Sequence, residues 1–206
     1  MVRSHRLTAA AAALGLLLAG CAATPATVPP PPGASPSESA APAPPPARLG
    51  REAPGARTTF VPTSLVLPDG SRAPVEPAAT RDGVLEVPEQ VDRVGWWDGS
   101  ALVGAPYGST VVAGHVDSAA QGLGVLAGLL SAAPGDVVTV EGDGGSARYR
   151  VSSVEAVPKA ALATASEALD QTGAHRLVLI TCTGRFDPLR RSYDDNLVVT
   201  ALPEDG

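Results

Sequence analysis

Two cysteines and three histidines are the side chains of this 206-residue chain best suited to nucleophilic chemistry. Cys182 follows the apolar run of residues 176–181 and precedes Thr183-Gly184. A thiol at the end of a strand, beside a polar loop, is held rigidly and can still be reached by a substrate. A free cysteine also packs well as a small apolar core residue. Position alone therefore leaves a catalytic and a structural interpretation open.

A nucleophilic thiolate needs a partner that takes its proton, usually a histidine. His5 lies in the N-terminal leader, and His175 lies roughly 23 Å from Cys182 if residues 175–182 form a strand. We therefore expect His175 to be a surface loop residue. His115 follows a second apolar run, residues 110–113 and Gly114. Two such strands, one ending in His and one in Cys, can place both side chains at the same rim of a barrel.

Three arginines, Arg185, Arg190 and Arg191, follow Cys182 in a polar segment. A cation there could stabilise the oxyanion that forms when a thiolate attacks a carbonyl group. The alternative is that these arginines are solvated loop residues.

Asp117 lies two residues after His115 and could orient the imidazole ring; as a neighbour of Ser118 it could equally be a turn residue. No acidic cluster calls for a metal, and no cofactor is predicted.

The elements that must position these residues are mostly short strands. Seven runs rich in Val, Leu and Ile are bounded by Gly, Pro, Asp or Ser: residues 64–67, 84–87, 110–113, 137–140, 147–151, 176–181 and 196–201. Turn residues at 68–70 and 142–145 separate some of them, so residues 137–154 are predicted to form a hairpin. Residues 123–131 and 160–169 are candidate short helices. The pattern predicts a mainly β fold, a closed barrel or a sandwich.

Residues 1–21 have the features of an export signal. Arg3, His5 and Arg6 precede the apolar residues 7–18, a run too short to span a bilayer as a helix. The sequence Leu-Ala-Gly-Cys at 18–21 resembles the lipobox of bacterial lipoproteins, which predicts lipidation of Cys21. An ordinary cleaved signal and a short uncleaved anchor are the alternatives. If Cys21 is lipidated, Cys182 is the one thiol left without a disulfide partner.

Residues 22–59 form a Pro-, Ala- and Ser-rich segment that cannot bury enough apolar surface to fold, so we predict a disordered linker before a folded domain at residues 60–206. The formal charge of −6 argues against nucleic-acid binding, which normally requires a basic patch.

Several motifs within residues 62–203 resemble those of the sortase family, in particular its class F of actinobacterial type. Residues 110–117, Thr-Val-Val-Ala-Gly-His-Val-Asp, resemble the histidine motif, and residues 177–184, Leu-Val-Leu-Ile-Thr-Cys-Thr-Gly, are similar to the cysteine motif. Residues 82–88 and 94–97 resemble the upstream segment, and residues 193–199 the approach to the terminal strand.

The resemblance implies a sortase-type barrel of about eight strands with a few short helices. It also implies a cysteine transpeptidase at the extracytoplasmic face of the membrane of a Gram-positive cell. Cys182 would cleave a Leu-Pro-x-Thr-Gly-like sorting signal through a thioacyl enzyme, with His115 as acid and base. The partners would be proteins with a C-terminal sorting signal and an amine acceptor, either a cell-wall precursor or a protein lysine. The lipid on Cys21 would supply the membrane anchor.

The sequence departs from the family in two places. Several class members carry an arginine where this chain has Asp194, so we assign the acyl-oxygen role to Arg191, with Arg190 as the alternative. Adjacent side chains of an extended segment point to opposite faces, so only one of the two can turn inward. The lipobox is the second departure, because sortases usually carry an uncleaved membrane helix.

Two other kinds of protein were weighed. Papain-like wall peptidases place Cys before His, and L,D-transpeptidases have a Ser-His-Gly-Cys cluster where this chain has Leu-Ile-Thr-Cys at 179–182. A non-catalytic lipoprotein would instead bury Cys182 and direct His115 elsewhere.

Overall fold

The computed structural model describes residues 58–165 and 167–204. Among these residues no helix is long and apolar enough to cross a membrane. The predicted signal segment with Cys21, and almost all of the predicted linker, lie outside the described residues.

A closed barrel of eight strands forms the centre of the described chain. In chain order the strands, including two short hairpins outside the barrel, are β1 (Ser64–Val66), β2 (Arg72–Ala78), β3 (Thr80–Arg81), β4 (Val84–Leu85), β5 (Val94–Trp97), β6 (Ser109–Ala113), β7 (Asp117–Ser118), β8 (Gly122–Leu123), β9 (Val137–Gly142), β10 (Gly145–Pro158), β11 (Arg176–Asp187) and β12 (Ser192–Pro203). The barrel order is β1-β2-β5-β6-β11-β12-β10-β9, while β3–β4 and β7–β8 pair separately. The predicted mainly β, closed eight-stranded barrel is confirmed.

Strand β6 and residues 177–181 of β11 are buried on both faces, which explains their continuous apolar sequences. Alternate side chains of these strands, such as Val112 and Leu179, point into the barrel interior. The side chains between them, such as Val111, Val178 and Ile180, point outward and form a second apolar cluster. The segments that pack on this second cluster include residues from β4, α1 (Lys159–Ala165) and the 3-10 turn Glu167–Leu169.

The helical segments are short, as predicted, but their bounds differ. The first is a 3-10 helix, Val125–Ser131, whose Leu126 and Leu129 are fully buried in the barrel core. The predicted helix at 160–169 is replaced by α1 and the separate 3-10 turn.

Strand β2 was not predicted because it contains two prolines, Pro74 and Pro77. The Val75 N–H donates to the carbonyl of Thr63, on the β1 side. Successive backbone nitrogens of a strand point to opposite neighbours, so the Pro74 nitrogen points toward β5 and the Pro77 nitrogen toward β1. The β2–β5 ladder begins only at Val75, and the last residue of β2 that pairs with β1 is Pro74. Each proline therefore lies where no neighbouring strand needs its missing N–H, the position at which strands tolerate proline.

Two hairpins extend further than their sequences indicated. The predicted hairpin at 137–154 is present as β9–β10, but β10 continues to Pro158. Strand β11 runs six residues past Thr181, and its polar second half pairs with the start of β12. A register shift between Thr183 and Phe186 puts one extra residue on the β11 side.

Candidate active site

The parallel pairing of β6 with β11 sets the positions of the predicted histidine and cysteine. Its last pair is Ala113 with Ile180. His115 is two residues beyond Ala113, and Cys182 is two residues beyond Ile180. Cys182 lies within β11 and by alternation continues the face that carries the second apolar cluster, whereas His115 lies two residues past the end of β6. Extending the parallel register by two residues sets His115 level with Cys182, on strand paths about 4.8 Å apart.

Gly114 extends the contact between the two strands by one residue. Its N–H donates to the carbonyl of Ile180 at 3.1 Å. The buried hydroxyl of Thr181 donates to the carbonyl of Gly114 at 3.0 Å. These two bonds hold the backbone just before His115 against the backbone just before Cys182.

Cys182 is a free thiol at the point where burial along β11 ends. Residues 177–181 are buried, whereas Cys182 and Thr183 are partly exposed. His115 is also partly exposed. Asn196 lies directly opposite Cys182 on β12. Cys182 is thus held in a strand at a partly exposed position.

Asp117 contacts a tyrosine. The hydroxyl of Tyr193 donates to Asp117 Oδ2 at 2.7 Å. Within the described residues the His115 ring makes no hydrogen bond to any side chain or backbone group. The hydrogen bond from the Tyr193 hydroxyl to Asp117 is the main reason that the pKa of Tyr193 is raised. Burial and the negative charges of Asp117 and Cys182 contribute less.

The arginines after Cys182 occupy different environments. Arg190 donates from Nε to Asp187 Oδ2 at 2.6 Å and from Nη2 to Asp194 Oδ1 at 2.8 Å. Arg191 is exposed, has a positive φ of 50° in the β11–β12 turn, and forms no ion pair with a described residue. Arg185 is exposed at the register shift of β11.

His175 is not the surface residue that the sequence suggested. It is only 4 % exposed, and its Nε2 shares a hydrogen bond of 2.9 Å with the hydroxyl of Tyr149. The rings lie 5.8 Å apart between centroids. His175 precedes β11, at the opposite end from Cys182, so the expectation that it is remote from the thiol agrees with the strand geometry. It was misassigned because its partner is 26 residues away in sequence.

Sequence reasoning did not anticipate the contact between Tyr193 and Asp117 or the position of Asn196 opposite the thiol. The first joins residues 76 positions apart, which no local pattern reports. The described residues contain no group of three or more His, Cys, Asp or Glu side chains placed to hold a metal ion.

Comparison with solved structures shows the same fold. Sortase C-1 from Actinomyces oris is 22% identical, with a TM-score of 0.54 over 69% of this chain and 71% of that one. Sortase A from Corynebacterium diphtheriae is also 22% identical, with a TM-score of 0.54 over 72% of this chain and 62% of that one. Sortase C1 from Streptococcus suis is 20% identical, with a TM-score of 0.54 over 70% and 73%.

Sequence comparison identifies the family. No curated protein matches this chain. The sortase domain model, however, matches residues 70–204. This range includes His115, Cys182 and every barrel strand except β1. The chain belongs to the sortase family.

Proposed function

We propose that this chain is a class F sortase of actinobacterial type that cleaves a Leu-Pro-x-Thr-Gly-like sorting signal and transfers the protein to an amine at the cell surface. The observation that supports the proposal is the register of β6 and β11, whose last pair, Ala113 with Ile180, comes two residues before His115 and two residues before the partly exposed Cys182. Anchoring through a lipid on Cys21 and an acceptor amine from a cell-wall precursor or a protein lysine belong to the same proposal.

The chemistry follows from that pair. His115 takes the thiol proton, and the Cys182 thiolate attacks the Thr carbonyl carbon of the Thr–Gly bond. The C–N bond breaks as His115 returns a proton to the departing glycine amine, which leaves a thioester on Cys182. An incoming amine, deprotonated by His115, attacks the thioester, so that an amide forms and the thiol is regenerated.

A cation near the acyl oxygen would lower the barrier for both steps. The structural contacts favour Arg190 over Arg191 for this role. Arg190 is held on Asp194, which shares a face of β12 with Asn196, and Asn196 lies opposite Cys182. Arg191 lies in the same turn, beside the pair Asp187–Ser192, and it forms no ion pair with a described residue that would draw its guanidinium toward Asp194.

The test uses the purified chain and a peptide that contains Leu-Pro-x-Thr-Gly. We expect mass spectrometry to show an acyl adduct on Cys182 that hydroxylamine removes, no adduct in Cys182→Ala, and a turnover about 10²–10⁴-fold lower in His115→Ala. Alkylation of Cys182 should also be faster in the native than in the denatured chain. If Cys182 reacts no faster than in the denatured chain and His115→Ala changes nothing, the chain is not an enzyme of this type.

A further inference from the structure

The ladder between β6 and β11 stops just before the two reactive residues. Beyond Ala113 and Ile180, only a few hydrogen bonds join the segment around His115 to the β11–β12 hairpin. Two involve Gly114, which bonds to Ile180 and Thr181. On the other side of His115, Asp117 accepts the bond from Tyr193 at 2.7 Å. His115 therefore lies between two attachment points on the hairpin that carries Cys182.

These attachments matter because the imidazole ring of His115 is not fixed by a hydrogen bond of its own within the described residues. Its direction depends on its rotamer and on the path of the backbone from Gly114 to Asp117. Among the described residues, Asp117 accepts a hydrogen bond from Tyr193 at its Oδ2 and makes none to the ring.

Tyr193 is itself well supported on the hairpin. It pairs across the hairpin with Phe186, and the two rings meet edge to face, with centroids 5.2 Å apart and an interplanar angle of 63°. It lies three residues before Asn196, the residue opposite Cys182.

We propose that Tyr193 is a positioning residue whose hydroxyl, by holding Asp117, keeps His115 facing Cys182. The inference rests on the proposed function of the pair. Without the hydroxyl, the segment that carries His115 is attached to the hairpin on one side only, and the imidazole departs from the alignment that proton transfer needs. Small misplacements of a reacting group reduce rates strongly. Substrate binding should change little, because the Tyr193 hydroxyl is occupied by Asp117.

The first measurement is the turnover of Tyr193→Phe, which removes the hydroxyl and retains the ring packed on Phe186. We expect kcat on the sorting-signal peptide to fall about 10- to 100-fold with KM within about twofold. Asp117→Ala should give the same loss, and the double variant should lose no more than either single variant, because all three break one contact. Asp117→Asn should retain more activity than Asp117→Ala, because the amide oxygen can still accept the hydrogen bond.

The second measurement separates positioning from a general loss of structure. The rate of Cys182 alkylation in Tyr193→Phe should be lower than in the wild type near neutral pH. The two rates should converge well above pH 8.5, near which a free thiol ionises without a base. A partly unfolded variant would change the rate at every pH. Tyr107→Phe, the same substitution at a tyrosine that is 67% exposed, is the matched control and should match the wild type in both assays.

The proposal is overturned if Tyr193→Phe keeps the wild-type kcat, or if the losses from Tyr193→Phe and Asp117→Ala add in the double variant. It is also overturned if Cys182 alkylation in Tyr193→Phe is slower than in the wild type by the same factor at every pH. Failure of the proposed function looks different, because the wild-type chain would then form no acyl adduct with the peptide. The alkylation profile would still report whether Tyr193 and Asp117 align His115 with Cys182.

Discussion

The proposed nucleophile and its proposed histidine partner are located mainly by β11 and by the end of β6. The side chain of Cys182 emerges where burial of β11 ends, and His115 emerges two residues after the last paired residue of β6. Cys182 is held within the β11 ladder itself, whereas His115 lies beyond the β6 ladder, between Gly114 and Asp117. A rigid backbone at both positions is what a thiol–imidazole pair needs, because the reacting atoms must stay aligned through both steps of a transfer.

Replacement of Arg190 by Ala tests the group assigned to the acyl oxygen. We expect Arg190→Ala to lower kcat on the sorting-signal peptide by roughly 10²–10³-fold, the usual cost of losing one oxyanion donor. Arg191→Ala is the matched control, with the same residue type next in the chain, and should stay within about threefold of the wild type. The comparison is made by steady-state kinetics, with far-ultraviolet circular dichroism to show that both variants are folded.

The opposite ranking would restore Arg191, the residue that the sequence favoured. Equal activity of both variants would show that neither arginine binds the oxyanion.

At the scale of single residues, part of the candidate site could be predicted from the sequence. Cys182 and His115 follow continuous apolar runs, so their places next to buried stretches were predictable, but Cys182 lies within β11 and not at a strand end as expected. The ion pairs of Arg190 with Asp187 and Asp194 were not predictable, because they depend on the tight turn between β11 and β12.

At the scale of elements, sequence patterns succeed where burial is simple. Strands β6, β11 and β12 were predicted because their centres are apolar on both faces or alternate clearly. The polar ends of β10 and β11 were missed because pairing, not burial, makes them strands. Strand β2 was missed because its prolines are tolerated only through the local arrangement of its neighbours.

The start of the 3-10 helix supports the histidine segment from behind. A Cβ atom placed on Gly124 would lie 2.5 Å from the carbonyl oxygen of His115 and 2.9 Å from that of Val91. The Gly124 N–H also donates to the carbonyl of Val116 at 2.8 Å. Both neighbours at Gly124 are backbone atoms, which cannot rotate away.

Replacement of Gly124 by Ala should therefore displace the backbone at His115. We expect Gly124→Ala to lower the free energy of unfolding by about 1–3 kcal/mol, the usual cost of overpacking. Its kcat should also fall, even at temperatures where the variant is fully folded. The measurements are urea unfolding followed by tryptophan fluorescence, and peptide turnover.

Gly128→Ala is the matched control in the same 3-10 helix. Its Cβ would meet only the Asp69 carboxylate, at 2.6 Å, and a flexible side-chain end can move aside. Equal effects of the two substitutions on turnover would show that Gly124 does not support His115.

At the scale of the whole molecule, ion pairs join strands that are distant in sequence. Arg72 pairs with Glu141, which connects β2 to β9. Arg148 and Arg150 of β10 both pair with Glu204, just after β12. These pairs lower the pKa of both carboxyl groups, chiefly through the hydrogen bonds from Arg72 to Glu141 and from Arg148 to Glu204.

Because the pKa values of Glu141 and Glu204 are lowered, the stability of the barrel depends on pH in the acid range. A carboxyl group with a lower pKa in the folded than in the unfolded state stabilises the fold above its unfolded value, about 4.3 for Glu. That contribution is lost as the pH falls through the folded value. We therefore expect the free energy of unfolding to decline below about pH 4, with no loss from these groups between pH 5 and 8. Urea unfolding at a series of pH values, followed by tryptophan fluorescence, measures this decline.

Glu204→Gln isolates one of these contributions. The variant should be less stable than the wild type at pH 6, because it lacks the charge that Arg148 and Arg150 bind. The difference between the two should shrink as the pH falls through 4 to 2, since the wild-type carboxyl group then becomes neutral as well. Concentrated salt at pH 6 should reduce the same difference, because exposed pairs are screened. A difference that stays constant from pH 6 to pH 2 would mean that Glu204 stabilises the barrel through packing and not through its charge.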